Sequence, residues 1–316
     1  MTNLLTLSHL AAQRLGTAVL AAVGVLGNPV PAVATPLLGA SLTGFTVLGA
    51  TAVTNVSPSV IDGHVGVWAS GGANAVTGFD SSPGVATSDV QVRNGRVHAG
   101  TTTGTPNARQ AQAELTTARI LLSSLGSGTV LTDADLIGLT LTPGVYTVHA
   151  GTTNLSGRLT LDGQGNADAA WVFQMDSSLV TSPNAWVDLI NTGAGAGVFW
   201  NVASSATIGS DTRFLGNLLA LGSISMDTRA DNVCGRALAD TGAVTLQMNR
   251  LQGACTGSLS GSDGLAGGLD VVTAADGSTG LQFLPPRFAG TVAEPGALAL
   301  ASLALLGLGL SRRRGL

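Results

Sequence analysis

Ala206-Thr207-Ile208, Ile224-Ser225-Met226 and Val244-Thr245-Leu246 are three short windows of one design. Each flanks a hydroxyl residue with two apolar ones and follows a pair of small residues. The central hydroxyls lie 18 and then 20 residues apart. Short strands repeating near every twenty residues, with small residues at the turns, predict the stacked coils of a β-solenoid. A β-sandwich is the alternative this pattern leaves open.

The same alternation runs outward in both directions. Phe45-Thr46-Val47-Leu48, Asp89-Val90-Gln91-Val92 and Arg158-Leu159-Thr160-Leu161 read as strands broken by Gly or Pro-Gly turns. One segment departs from it. Between Pro106 and Leu125, Ala108, Ala111, Leu115, Ala118 and Leu122 recur at spacings of three and four, widened by Leu121 and Leu125. That stripe predicts a helix over 106–125, with Thr105 as its cap, Pro106 at the first position and Gly126 ending it. A lone amphipathic helix must lie along a β surface. Cys234 follows Ser225 by nine residues and Cys255 follows Thr245 by ten, near-equivalent places on successive coils. Adjacent strands are about 4.8 Å apart, within reach of a disulfide, so the pair is expected to be bridged; two free thiols are the rival reading. Beyond Cys255 large side chains thin out, and 256–290 reads as a Gly/Ser-rich spacer after a domain over 35–255.

Composition excludes several classes. The 316 residues include no Lys, only two Glu, and 44 Gly. Coiled coils and long helical bundles need Glu and Lys, and nucleic-acid binders are basic. Residues 35–290 hold 17 acidic side chains against 10 Arg, about −7, which suits neither nucleic acid nor anionic lipid. His64, His98 and His149 show no ligand spacing, no nucleophile elbow occurs, and Asp133 and Asp135 fit a turn better than an acid–base pair. The reading is therefore of a non-enzyme with no metal and no cofactor. A solenoid polysaccharide lyase is the enzymatic alternative; such enzymes tend to use Lys, Arg and Asp with Ca²⁺, and the absence of Lys speaks against it.

Both ends read as addresses. Arg14, the apolar run from Leu15 to Leu26 and the small residues of Ala32-Val33-Ala34 fit a signal peptide over 1–34, cut by signal peptidase. At the other end, Val292-Ala293-Glu294-Pro295-Gly296 precedes an apolar run from Ala297 to Leu310 and then Arg312-Arg313-Arg314. The three Arg would stay on the cytoplasmic side. This tail, 291–316, resembles the PEP-CTERM sorting signal of Gram-negative bacteria, with Ala293 in place of the first Pro. The resemblance implies export to the cell surface or medium, transient membrane anchoring, and cleavage by an exosortase near Pro295. A plain membrane anchor is the alternative.

A second resemblance covers the body. Ordered matches run from Phe45-Thr46-Val47-Leu48-Gly49 and Ile61-Asp62-Gly63-His64-Val65 through Ala111-Gln112-Ala113-Glu114-Leu115. They continue with Leu141-Thr142-Pro143-Gly144-Val145-Tyr146, Val198-Phe199-Trp200-Asn201-Val202 and Gly235-Arg236-Ala237-Leu238-Ala239. From Leu38 to about Leu251 the chain resembles the ice-binding-like family. The resemblance implies a mainly β fold, a discontinuous right-handed β-solenoid with one long α-helix packed alongside. It also implies an exported protein that docks a flat Thr/Ser face onto ice and inhibits growth or recrystallisation. The alternative is a structural or adhesive matrix protein on the same scaffold, associated with exopolysaccharide and without useful ice affinity. A T-(A/G)-x-(T/N) pattern marks the ice-facing surface of active members. Thr51-Ala52-Val53-Thr54 fits it, and Thr181-Ser182-Pro183-Asn184 fits loosely. Positions just beyond the core windows extend the expected face to Thr181, Asn184, Ser210, Thr212 and Thr228, beside Thr51 and Thr54. Two windows there carry charge, Ser210-Asp211-Thr212-Arg213 and Thr228-Arg229-Ala230-Asp231. Charge on an ice face would weaken docking; charge on a turn would not.

If the tail is a sorting signal, mass spectrometry of the mature protein from its native host should find no peptide beyond about Pro295. Recovery of Arg312 to Arg314 on the final extracellular form would instead indicate a permanent anchor.

Overall fold

The computed structural model describes residues 35–68, 75–274 and 276–288. The expected signal peptide and sorting tail lie outside the described residues. Parallel pairing replaces the sandwich alternative: almost every strand pairs in parallel with its equivalent on neighbouring coils. Each coil passes three surfaces in turn. The first holds Gly144–Val148, Ala170–Met175, Gly197–Val202 and the later halves of Arg213–Ala220 and Asp231–Ala239. The second is a separate six-stranded sheet, running from Leu179–Val180 through Ala206–Ile208, Ile224–Met226, Val244–Gln247 and Val53–Val56 to Val76–Thr77. The third holds Arg158–Asp162, Trp186–Ile190, Arg250–Gln252 and Val60–Asp62. Two strands run continuously from the third surface into the first, bending at bulges where Gly216 and Gly235 have φ of +103° and +150°. A Cβ on Gly235 would overlap the Gly216 carbonyl, so this stacked corner admits only glycine.

The stack is not in chain order. The coil of Phe45–Gly49, Val53–Val56 and Val60–Asp62 lies directly on the coil that ends at Gln252. No coil connection joins the two at this seam, which crosses all three surfaces.

Two apolar cores result. Inside the coils, Tyr146, Phe173, Trp200 and Phe214 form an aromatic column with centroid separations of 6.0, 4.0 and 5.1 Å. The indoles of Trp171 and Trp200 donate to the Leu141 and Leu215 carbonyls. The second core lies outside the first surface, where Phe45, Leu48, Val172, Phe199, Leu219 and Leu238 meet the helix. That surface is apolar on both sides, which is why Gly197–Val202 is buried at every position.

The helix runs Ala108–Ser123 and buries the expected stripe of Ala108, Ala111, Leu115, Ala118, Leu121 and Leu122. Its cap is Asn107, which accepts from the Gln110 N–H, rather than Thr105; Pro106 lies outside the helix. Glu114, on this helix, accepts the Ser41 and Leu42 N–H groups and ties down the start of the described chain. The Cys234–Cys255 disulfide forms as expected, Cα to Cα 4.8 Å.

The stretch expected as a spacer folds instead. Leu265, Ala266 and Leu269 are buried, and Leu269–Thr273 pairs antiparallel with Thr279–Phe283. Arg287 then pairs with Asp168 at 2.7 Å. Cβ atoms on Gly264 and Gly267 would strike the Gly253 and Gly195 carbonyls, so these glycines permit close backbone approach. Fully buried Arg236 holds the same segment, donating to the Asp263 carbonyl and side chain and also to Thr43 O.

At the far end of the stack a two-histidine clasp joins sheet to helix. The Arg96 N–H donates to His64 Nδ1, 3.2 Å away, so that nitrogen is an acceptor. His98 Nε2, 2.8 Å from it, is therefore the donor. His98 Nδ1 then accepts from the Thr101 hydroxyl, whose oxygen takes the Ala108 N–H of the helix. Burial, then His64 and Arg96, lowers the His98 pKa from 6.5 to about 4. His64 is lowered as well, by burial and then Arg96. Protons taken up by the unfolded chain below pH 6.5 are refused by the folded one, so the clasp contributes fully above that value. Its contribution is lost as pH falls towards about 4. Melting temperature should drop through that window, and His98→Gln should lower stability at neutral pH while flattening the pH dependence.

Candidate functional site

The second surface is built by the three windows and their counterparts. Leu179, Ala206, Ile224, Val244, Val53 and Val76 align and point inward, all buried. One residue on, parity turns the next row outward: Val180, Thr207, Ser225, Thr245, Thr54 and Thr77. Five hydroxyls thus stand on five successive strands, Thr54 and Thr77 exposed and the others half-buried. None of the five makes a side-chain hydrogen bond among the described residues, so each is free to bond outward. The five hydroxyls span about 19 Å at the usual strand spacing.

A second column flanks it, formed by Ser205, Ser223, Ala243, Ala52 and Ala75, whose backbones align through rung-to-rung bonds. Ser205 Oγ accepts the Ser223 N–H and Ser223 Oγ the Ala243 N–H, each at 3.1 Å. These side chains are short, and neither column carries a charge. These two columns are consequently uncharged and periodic. No group of three or more His, Cys, Asp or Glu among the described residues is arranged to hold a metal.

Of the residues expected to form the face, Thr54 stands in the row and Thr51 is exposed at the turn before it. The others sit at the corner between the second and third surfaces. Thr181 and Thr212 are 4% and 1% exposed, which removes them from any contact surface. Their hydroxyls are 3.4 Å apart; Thr181 Oγ1 accepts the Gly209 N–H, and Thr212 Oγ1 donates to Ser182 O. Thr228, half-buried, is 3.3 Å from Gln247 Oε1. Asn184 occupies the turn itself at φ +62°, and Ser210 accepts its N–H.

The charged windows lie at this corner too. Asp211 and Arg229 have φ of +56° and +57° and stack on adjacent coils in a two-pronged ion pair of 2.7 and 2.9 Å. The Arg229 hydrogen bond holds the Asp211 carboxyl below its ordinary range. Arg213 opens a strand of the third surface, its guanidinium 4.7 Å from the Trp186 ring centroid. Burial raises the pKa of its neighbour Asp231. The charges therefore leave the hydroxyl row clear. Four residues of that row, Thr77, Thr207, Ser225 and Thr245, went unassigned from sequence, although three centre the windows that revealed the coils. Apolar–hydroxyl–apolar parity was the signal that could have found them.

A family model described as ice-binding-like matches residues 47–252. The chain is 43% identical over 211 residues to an ice-binding protein of Nostoc sp. (strain HG1), covering 67% of this chain and 72% of that one. It is 31% identical to ice-binding protein 1 of Shewanella frigidimarina over 65% of this chain, but only 25% of that longer protein. Among solved structures, the Shewanella frigidimarina DUF3494 domain is similar at a TM-score of 0.59 and 28% identity, over 69% of this chain and 97% of the domain. A glycosylated ice-binding protein from an Arctic yeast is similar at 0.60 and 28%, over 68% of this chain and 92% of that one.

The corner hydroxyls are structural, and that is testable. Thr212→Ala should cost about 1–3 kcal/mol in chemical denaturation, the usual penalty for orphaning buried partners. Thr207→Ala, on the open row, should change stability by less than about 0.5 kcal/mol.

Proposed function

The chain belongs to the ice-binding-like family, and on that premise we propose that it binds ice through the row Thr207, Ser225, Thr245, Thr54 and Thr77. The observation that carries this reading is five unbonded hydroxyls in register on five successive parallel strands. Each rung offers a hydroxyl, and each Thr a methyl beside it, at a spacing close to a repeat of the ice lattice. One hydroxyl exchanging water for ice gains little. Several engaging together on a surface already rigid add up without an ordering cost. Thr51 lies at the edge of this face. Asn184, Ser210 and Thr228 border it at the corner and serve its frame.

The coils take the right-handed sense that parallel crossovers favour. The finer biology rests on the ends of the sequence. The N-terminal apolar run supports export, and the Glu294-Pro295 and triple-Arg tail supports exosortase processing at the surface of a Gram-negative cell. No helix among the described residues is long and apolar enough to cross a membrane.

Thr245→Tyr places a bulky ring in the middle of the row and should abolish thermal hysteresis and crystal shaping with circular dichroism unchanged. Val130→Tyr, at an exposed position on another surface, should leave both intact. An inactive wild type would overturn the ice reading in favour of the matrix one; an active protein indifferent to Thr245→Tyr would move the ice contact to another face.

A further inference from the structure

The hydroxyl row is crossed by the seam. Thr207, Ser225 and Thr245 lie on coils that follow one another along the chain, whereas Thr54 and Thr77 belong to coils from its beginning. Covalent connections set the register within each group. Between Thr245 and Thr54 no such connection exists, and a lattice match across five rungs requires that register to be kept.

Ser59 and Asn249 meet at this junction, 190 residues apart in sequence and 2% and 1% exposed. Asn249 donates its N–H to Ser59 Oγ at 3.0 Å and accepts the Val60 N–H at 2.9 Å. Its side-chain amide reaches back to Asp227 O and Ala230 O at 2.7 and 2.8 Å, and its Oδ1 accepts the Gln247 N–H. The Ser59 hydroxyl donates to Asn55 Oδ1 at 2.6 Å. Asn55 is the residue after Thr54, and its amide donates to Gly78 O, just after Thr77, and to Gln91. One polar chain therefore runs from the coil of Asp227, through the seam, to the coil that carries Thr77.

We propose that Ser59 and Asn249 are positioning residues for ice contact, holding Thr54 and Thr77 in register with Thr245, Ser225 and Thr207. The proposal rests on the ice-binding reading of the row. With the link cut, the two groups are joined by the backbone ladder alone, and the match of five rungs to ice loosens at the seam. The ladder across the seam remains, so the fold survives while the register loosens.

The test uses the full chain. Ser59→Ala removes the linking hydroxyl and Ser59→Thr restores it; Thr147→Ala removes a comparable bond, to Ser127 O, at the opposite end of the stack. Thermal hysteresis and amide exchange at Thr54 and Val56 are measured below 5 °C, under conditions where every variant is folded by circular dichroism. Ser59→Ala should lose hysteresis several-fold and exchange faster at both amides, Ser59→Thr should recover both, and Thr147→Ala should match wild type whatever its melting temperature. Wild-type hysteresis and exchange in Ser59→Ala would overturn the positioning role. If wild type itself lacks hysteresis, the ice reading fails instead, and unchanged exchange in Ser59→Ala would separately overturn the claim about the seam. Should Ser59→Ala not fold, Asn55→Ala breaks the same chain one link further on and is judged by the same two readouts.

Discussion

Backbone bonds between successive coils, from Leu179 through Ala206, Ile224 and Val244 to Val53 and Val76, fix the vertical spacing of every side chain attached to them. Parallel register leaves no freedom to shift one coil by a residue, because a slip would turn its apolar positions outward. Whatever stands beside an inward residue is therefore repeated at the same height interval on each coil. The row of hydroxyls is a by-product of core packing, which is why it is straight without any bond among its own members.

The three surfaces meet three fates from one backbone plan. The first is covered by the helix and by the chain's last described hairpin, and its strands are apolar on both sides. The third carries the Arg158–Trp186–Arg213 stack, with guanidinium groups 5.2 and 4.7 Å from one ring. On the second, the hydroxyl row and the column beside it carry short neutral side chains. Turn chemistry keeps it so: the corner next to it absorbs Asp211 and Arg229 in left-handed conformations, where their side chains bond each other. Helix and charge occupy the other two surfaces, which is why the ice contact is proposed on this one.

Much of this was legible in the sequence. Alternation revealed the strands, the spacing of Cys234 and Cys255 revealed neighbouring coils, and the 3–4 spacing of Ala108 to Leu122 revealed the helix. Corners were harder. Thr181 and Thr207 are the same residue type near equivalent strands, yet one is buried and bonded and the other is open. What separates them is one residue of parity at a turn, and composition does not carry that. The stretch after Cys255 was opaque for another reason. Glycine that lets two backbones touch, as at Gly264 and Gly267, is spelled the same way as glycine in a loose linker.

The seam bears on how the molecule is made. Phe45–Gly49 is synthesised early, yet its partner Asp231–Ala239 appears only after nearly two hundred further residues. A stack in chain order could grow by adding each coil to the last as it left the ribosome. Here the early coil has one of its two faces unpaired until the late one arrives, and its edge remains a template for other strands meanwhile. Contacts of such long sequence separation slow folding. The stack is completed only when almost the whole domain has been made, so the last coil to be synthesised is the keystone rather than the final course.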